Sequence, residues 1–471
     1  MTSALLTLLV LTASLSPLLT FAALWQMKEW RWDRLREHVR ETGWGQLVGK
    51  VRPALLLLLV LHIFVSNDGS IILLILFAFT GLNILQIFLK KQRYPVWTKK
   101  AIMLMGTSVI ITAIIGYIVV ERLLVIFVPI FQPLILTLAL TLFLPLDRFL
   151  KNRILQKAKT LRSRFPKLVV IGITGSVGKT TTKELLAHLL QDKKPLVTPE
   201  HVNTELGVAN WIIEKLCDVQ QLSEQVVIIE MGAYCKGEIA TLCSMTQPTI
   251  GIITMIGSQH LGLFGSQKHI VDAKGELFDA LPHSGRAFIN AESPFLDVLR
   301  KKCQCPCNVI EKKTILKNPR FNADIAIVVA KFLGVNEQQV NEKLATFSLP
   351  KHTFSIRKQS NITILDDTHN SSPESFRVAI EWARIQPQKE KILLASGIIE
   401  LGKESDRIHE ELGTLATSVF SKALIVNSSA AKAFAKGFQK PLSPIPCHLS
   451  SHSLLCCIGR IPPSLIKKFL S

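Results

Sequence analysis

Five apolar runs crowd the first third of this chain, at residues 4–25, 53–66, 70–89, 101–120 and 123–146. A helix needs about 20 apolar residues to cross a bilayer's hydrocarbon. Inside that hydrocarbon the backbone must satisfy its own hydrogen bonds, which leaves helices as the natural spanning form. The runs therefore predict a multi-span helical bundle in a lipid bilayer. The second run, LVLHIFVS with its lead-in, is short for the purpose. The first lacks a basic start and further runs follow it, so it reads as a span and not as a cleaved signal peptide.

The loops give the bundle a direction. WQMKEWRWDRLREHVR and KKQRYPVWTKK are rich in Lys and Arg, NDGS has none, and the break at Glu121-Arg122 is nearly neutral. Basic loops stay in the cytoplasm. Five spans with the N-terminus outside satisfy every loop and put everything after Leu146 inside. Trp25, Trp30, Trp32, Trp44 and Trp97 suit interfacial anchoring. Through Lys167 the chain carries 21 Lys and Arg against 7 Asp and Glu, so this third holds +14 of the formal +20. The basic balance belongs to the membrane part, and no nucleic-acid partner is expected.

Between the last run and the remainder lies DRFLKNRILQKAKTLRSRFPK, residues 147–167. Phe149, Leu150, Ile154, Leu155 and Leu161 would form one face of a basic helix on anionic headgroups; a solvated linker is the equal alternative. The nine cysteines are odd in number and fit a reducing compartment. CQCPC (Cys303, Cys305, Cys307) lacks the second pair a zinc site wants and reads as an ordinary loop.

From Leu168 the character changes. KLVVIGITGSVGKTTTKELLAHLL is a β-branched run, a glycine turn and a helical pattern, the context a phosphate-binding loop requires. Gly175 and Gly178 let backbone N–H groups turn toward phosphate oxygens, with Ser176, Val177 and Thr181 completing the cradle. Lys179 would reach the outer phosphates and Thr180 would offer a hydroxyl to magnesium. The strict formula wants glycine at 173, where Ile stands. QVVIIEMGA then puts Glu230 at the carboxyl end of a buried strand, where α/β sheets collect ligands. His260 follows another strand, Lys274 and Glu276 sit on a predicted helix in DAKGELF, and Asn290 follows a strand in RAFINAES.

The order of these segments resembles the Mur ligase family, nearest its MurF type, which adds D-alanyl-D-alanine to a muramoyl tripeptide. TGSVGKTTTKE, NTELGV, EMGA, HLGLFGS, AKGELF and INAES follow in family order from about Leu168 to Ser293, and the likeness resumes from about Asn322. The resemblance implies that Lys179 binds the γ-phosphate of ATP, that Thr180 and Glu230 hold one magnesium, and that His260 and Glu230 hold a second. It implies further that Lys274 is carbamylated near the metal, that Asn290 contacts adenine, and that Asn203 and Glu205 face the acceptor. DDTHNSSPES and GIIELGKESDRIHEELG resemble later family motifs and would bring Asp367, Asn370 and His409 to the interface of two domains.

The expected architecture is α/β. It comprises a transmembrane region (1–146), a basic linker (147–167), a P-loop-type central ATPase domain with a mostly parallel sheet (168–349) and a small Rossmann-like C-terminal domain (350–471). The implied activity is ATP- and Mg²⁺-dependent amide-bond ligation on a muramoyl-peptide precursor, UDP- or lipid-linked, with an amino acid or dipeptide as amine. Amidation of a different lipid-linked acid, or a non-catalytic ATP-binding scaffold, are the alternatives. The sequence departs from the family pattern as well. LPKHTFSI offers His352 and Thr353 where the family has arginine, His369 stands for a tyrosine, Gly262 for a glutamate and Gly397 for an aspartate. The family's uridine-binding domain has no counterpart, and the apolar runs occupy its place.

Overall fold

The computed structural model describes residues 3–43, 70–118, 127–217, 226–313, 323–348, 353–359, 361–368, 371–443 and 449–470. The chain divides into two compact units, 1–150 and 151–471.

Within the first unit, apolar runs become the helices Ser3–Met27, Ser70–Phe88, Lys99–Ile118 and the start of Gln132–Ser163. Three of these (residues 4–27, 99–118 and 132–163) are long and apolar enough to cross a membrane; Leu73–Phe88 is shorter. The run 53–66 lies outside the described residues. Leu18, Phe21, Ala22 and Trp25 pack against Leu104, Leu136, Ala139 and Leu140, while Leu74, Phe77, Phe88, Ile110 and Leu142 are exposed. Polar side chains tie the helices from within. Pro17 has no N–H to give the carbonyl of Ala13. Asn83 Nδ2 supplies the missing donor at 2.9 Å and also reaches Thr12 O at 2.7 Å. Gln132 Nε2 donates to Thr112 Oγ1 at 3.0 Å.

The last helix runs unbroken to Ser163 through Pro145, so residues 147–163 are helical, one of the two forms expected for them. In the second unit Ile154, Leu155, Ala158 and Leu161 pack into the core of the central domain. They do not form a free apolar face for headgroups; of the five residues expected there, Phe149 and Leu150 are exposed. Arg162, 4% exposed, donates to Thr246 O, Phe165 O, Leu168 O and Gln247 O and so occupies carbonyls where the helix ends.

The central sheet contains six parallel strands in the order β2-β3-β1-β4-β5-β6. Its strands are β1 (Val169–Thr174), β2 (Leu196–Val197), β3 (Val226–Glu230), β4 (Ile250–Ile253), β5 (Arg286–Asn290) and β6 (Cys307–Ile310). Both faces are covered: Val170, Ile229, Leu277 and Phe278 lie in one core and Ile171, Ile228, Leu185 and Phe288 in the other. Sheets buried on both faces need continuous apolar strands, and VVIGIT and VVIIE are such runs. The chain winds to one side of β1 through β2 and β3, then returns to its other side with β4. That reversal opens a crevice beyond the carboxyl ends of β1, β3 and β4, where ligands bind in such sheets.

The C-terminal sheet has the order β10-β9-β11-β8-β7. Here β8 (Ile362–Asp367), β9 (Lys391–Ala395), β10 (Lys422–Ile425) and β11 (Leu454–Ile458) are parallel, and β7 (Ser355–Gln359) is an antiparallel edge. Helix Pro373–Arg384 follows β8 with Ser372 as its cap and Pro373 in its first turn, as SSPES predicts.

Candidate active site

Thr174 ends β1, and the chain then turns through Gly175 to Gly178 into helix Lys179–Leu189. Gly175 has φ 149°, and a Cβ there would lie 2.0 Å from Thr254 Oγ1. Only glycine lets the loop press against the exit of β4. That exit fastens the loop: Ser176 N donates to Met255 O at 2.6 Å and Thr254 Oγ1 to Val177 O at 2.6 Å. Gly178, at φ 88°, caps the helix, so the helix's free N–H groups and its positive end face the crevice. Lys179 Nζ donates to Gly175 O at 2.8 Å and lies along the cavity wall.

Glu230, the last residue of β3, is 5% exposed and held on every side. Its Oε2 accepts from Thr180 Oγ1 at 2.9 Å and its Oε1 from Asn203 Nδ2 at 3.1 Å. Its backbone N–H donates to Thr198 Oγ1 at 3.0 Å. Behind it stands Lys183, fully buried, with Nζ 2.9 Å from Thr198 O and 3.7 Å from Glu230 Oε2. Lys183 is not among the residues expected at the site; its signal is the spacing, since residues four apart share a helix face, which puts Lys183 on the same side as Lys179.

Across the crevice, His260 Nδ1 bonds Glu400 Oε2, and the His260 ring meets Tyr234 edge-on at 4.7 Å between centroids. Burial lowers the His260 pKa below the usual imidazole value, against the opposing effect of Glu400. Lys274, 2% exposed, lines the same cavity. Burial first, and then the charge of Lys179, push its amine well below the usual lysine range, while Glu238 pulls the other way. Burial likewise lowers Lys179, with Glu230 opposing. A buried lysine disfavoured by a neighbouring cation marks a cavity suited to a polyanion.

Ser176, Val177, Gly178, Lys179, Thr180, Thr181, Asn203, Glu230, His260, Lys274 and Asp367 all line this one cavity. Its far wall comes from the C-terminal domain: Thr353, Asp367, Ser371, Ser372, Ser375 and Arg460. Arg460, two residues beyond β11, was also not foreseen. Asp367 Oδ1 accepts from Phe354 N at 3.2 Å. Other expected residues lie elsewhere. Glu205 opens helix Glu205–Leu216, and Asn290 is buried at the end of β5 with Oδ1 on Glu292 N. His409 is 1% exposed; its Nδ1 bonds Ser405 O at 2.7 Å and its Nε2 accepts from Ile398 N at 3.0 Å. Nε2 thus holds the turn after β9, and Nδ1 bonds a carbonyl in the first turn of its own helix, Ser405–Thr417. Glu276 accepts from Gly237 N and Ala240 N, tying down the start of helix Glu238–Thr246. Asn370, His369 and His352 lie outside the described residues.

Magnesium prefers oxygen ligands and keeps several waters. The Thr180 hydroxyl and the Glu230 carboxylate, 2.9 Å apart beside Lys179, are donors of that kind and fit the ion. No group of three or more His, Cys, Asp or Glu that would hold a metal occurs among the described residues, the CQCPC loop included.

Residues 173–350 match the family model of the Mur ligase middle domain. The matched span carries the phosphate loop, Glu230, His260 and Lys274. The relatives are UDP-N-acetylmuramoyl-tripeptide–D-alanyl-D-alanine ligases. The chain is 29% identical to that of Mycobacterium tuberculosis over 301 residues, 55% of this chain and 58% of that protein. It is 31% identical to that of Synechocystis over 278 residues, 54% and 60% of the two. The chain thus spans about three fifths of the length of the curated relatives it matches. Among solved structures, MurF from Acinetobacter baumannii aligns with a TM-score of 0.59 at 24% identity, covering 68% of this chain and 80% of that one. MurF from Thermotoga maritima in complex with ADP aligns with a TM-score of 0.57 at 24% identity, covering 68% and 82%. These two share the fold.

Proposed function

We propose that the chain is an ATP-dependent carbon–nitrogen ligase of the MurF kind, anchored in the bacterial inner membrane by its apolar helices with the catalytic domains in the cytoplasm. The observation that carries this reading is the meeting of Lys179, Thr180, Glu230, His260 and Lys274 on one cavity at the reversal point of the central sheet. In this reading a substrate carboxylate attacks the γ-phosphorus of ATP, giving an acyl phosphate and ADP. An amine then attacks the activated carbonyl and expels phosphate. The muramoyl-peptide acid and the D-alanyl-D-alanine amine are taken over from the relatives' names.

Lys179 and the helix terminus oppose the charge on the transferring oxygens. Thr180 and Glu230, held by Asn203 and Lys183, would fix a magnesium ion, which when bound supplies further neutralisation of the triphosphate. His260 would join Glu230 at a second ion. Lys274, whose ammonium form burial disfavours, is suited to take up carbon dioxide and become an anion. Asp367 and Arg460 close the cavity from the C-terminal side, which aligns the amine and excludes water. The exposed apolar faces of the N-terminal helices support a membrane role: bringing the ligase to a lipid-carried precursor or to the site of wall synthesis.

The test is ADP release by purified full-length protein offered UDP- or lipid-linked muramoyl tripeptide and D-alanyl-D-alanine. Lys179→Ala should lower turnover by at least about a hundredfold while the chain still inserts in membranes. Full turnover in that variant would refute the reading.

A further inference from the structure

The C-terminal domain grips one central-domain loop, residues 257–262, at two points. Glu374, in the first turn of helix Pro373–Arg384, accepts from Ser258 N at 2.8 Å. It comes so near Gly257 that a Cβ there would lie 2.6 Å from its carboxyl carbon. Glu400 makes the second grip. Its backbone oxygen accepts from Gly262 N at 2.7 Å, and its side chain bonds His260 Nδ1. Both residues of that pair are left-handed, His260 at φ 60° and Glu400 at φ 64°, a conformation uncommon for residues other than glycine. Such a backbone persists where the surroundings over-determine it. Glu400 is 7% exposed, so this is no loose surface contact.

An imidazole held at Nδ1 by a carboxylate has one ring nitrogen left, Nε2, and carboxylates in this position are how proteins orient a metal-binding histidine. What is unusual here is that the carboxylate belongs to a different domain from the histidine. We propose that Glu400 is a positioning residue: through it the C-terminal domain sets the ring of His260, so that retention of the metal–nucleotide complex depends on the C-terminal domain being docked. The inference rests on the ligase reading above and adds a residue and a coupling to it.

The test uses the full chain, Mn²⁺ as a paramagnetic stand-in and ADP, with free Mn²⁺ counted by its spin resonance. Glu400→Gln keeps shape and backbone contact but removes the carboxylate charge. It should weaken Mn²⁺ retention in the presence of ADP about tenfold, the scale for losing a metal ligand's outer partner. In a His260→Ala background the same change should add nothing, because the effect runs through the ring. Hydrogen exchange of residues 256–264, followed without metal or nucleotide, should stay as slow in Glu400→Gln as in the parent. Unchanged Mn²⁺ retention in Glu400→Gln, or an equal loss in the His260→Ala background, would overturn the inference and leave the ligase reading standing. Faster exchange together with lost Mn²⁺ would make Glu400 a fastener only and would also overturn it. A parent chain that holds no Mn²⁺ with ADP would instead sink the ligase reading itself.

Discussion

Lys274 shows what a buried lysine costs the fold around it. It is 2% exposed, shares a cavity with Lys179, and has its ammonium form disfavoured by both facts. Replacing a buried charge by an apolar chain of similar size is often neutral or stabilising, by about 1–4 kcal/mol where pairs have been replaced. Lys274→Met should therefore melt no lower than the parent, while its ADP release is lost. Lys274→Arg should be inactive as well, since a guanidinium stays protonated and does not take up carbon dioxide. Calorimetry and the ADP assay, run side by side, decide both points; an active Lys274→Arg chain would remove the carbamate from the account.

The same scale shows which residues sequence alone exposes. Glu230 is legible because it ends a plainly apolar strand, and Lys179, Thr180 and His260 because they follow two others by a short loop, on the side of such sheets where ligands collect. Glu400 is not legible, because its partner His260 is 140 residues away and no local pattern reports such a pair. Arg460 is hidden for a related reason: it follows β11, which offers only LLCCI with no motif behind it. His409 shows what a motif leaves out: it places the residue on a helix, whereas the bonds of its ring to Ile398 N and Ser405 O depend on the packed structure.

At the level of elements, helices and strands depend on partners supplied from a distance. Pro17 removes the donor for Ala13 O, and Asn83 replaces it at 2.9 Å. Asn83→Leu should leave a buried carbonyl unsatisfied and destabilise the N-terminal helices by about 1–3 kcal/mol. Adding Pro17→Ala returns the N–H and should recover most of that loss. Thermal unfolding of the two variants in detergent checks this, and a double variant no better than Asn83→Leu would show that the pairing does not matter. The element read least well from sequence is helix Gln132–Ser163. Its composition changes from apolar to basic near Asp147, which looks like a boundary, yet helix geometry carries across it because nothing after Pro145 breaks the pattern. Ile154, Leu155 and Leu161 look like a lipid-facing stripe in isolation; packing against Trp211 and its neighbours gives them a protein core instead.

The whole molecule joins an apolar helical unit to two α/β sheets whose carboxyl ends line one cavity. The sidedness proposed for it is open to a test with native residues. All nine cysteines follow residue 216, and Cys217 is exposed. A membrane-impermeant maleimide should leave the protein unlabelled in intact spheroplasts and label it in inverted vesicles. Labelling from outside would reverse the orientation and remove the catalytic domains from the supply of ATP.

The account depends most of all on the loop between β1 and helix Lys179–Leu189 holding a triphosphate with its metal. Titration calorimetry of purified full-length protein with ATP, in the presence and absence of Mg²⁺, measures this without assuming any acceptor. Binding should be saturable, require Mg²⁺ for full affinity and be lost in Lys179→Ala. Binding that is absent from the parent chain, or that is as strong in Lys179→Ala as in the parent, would contradict it.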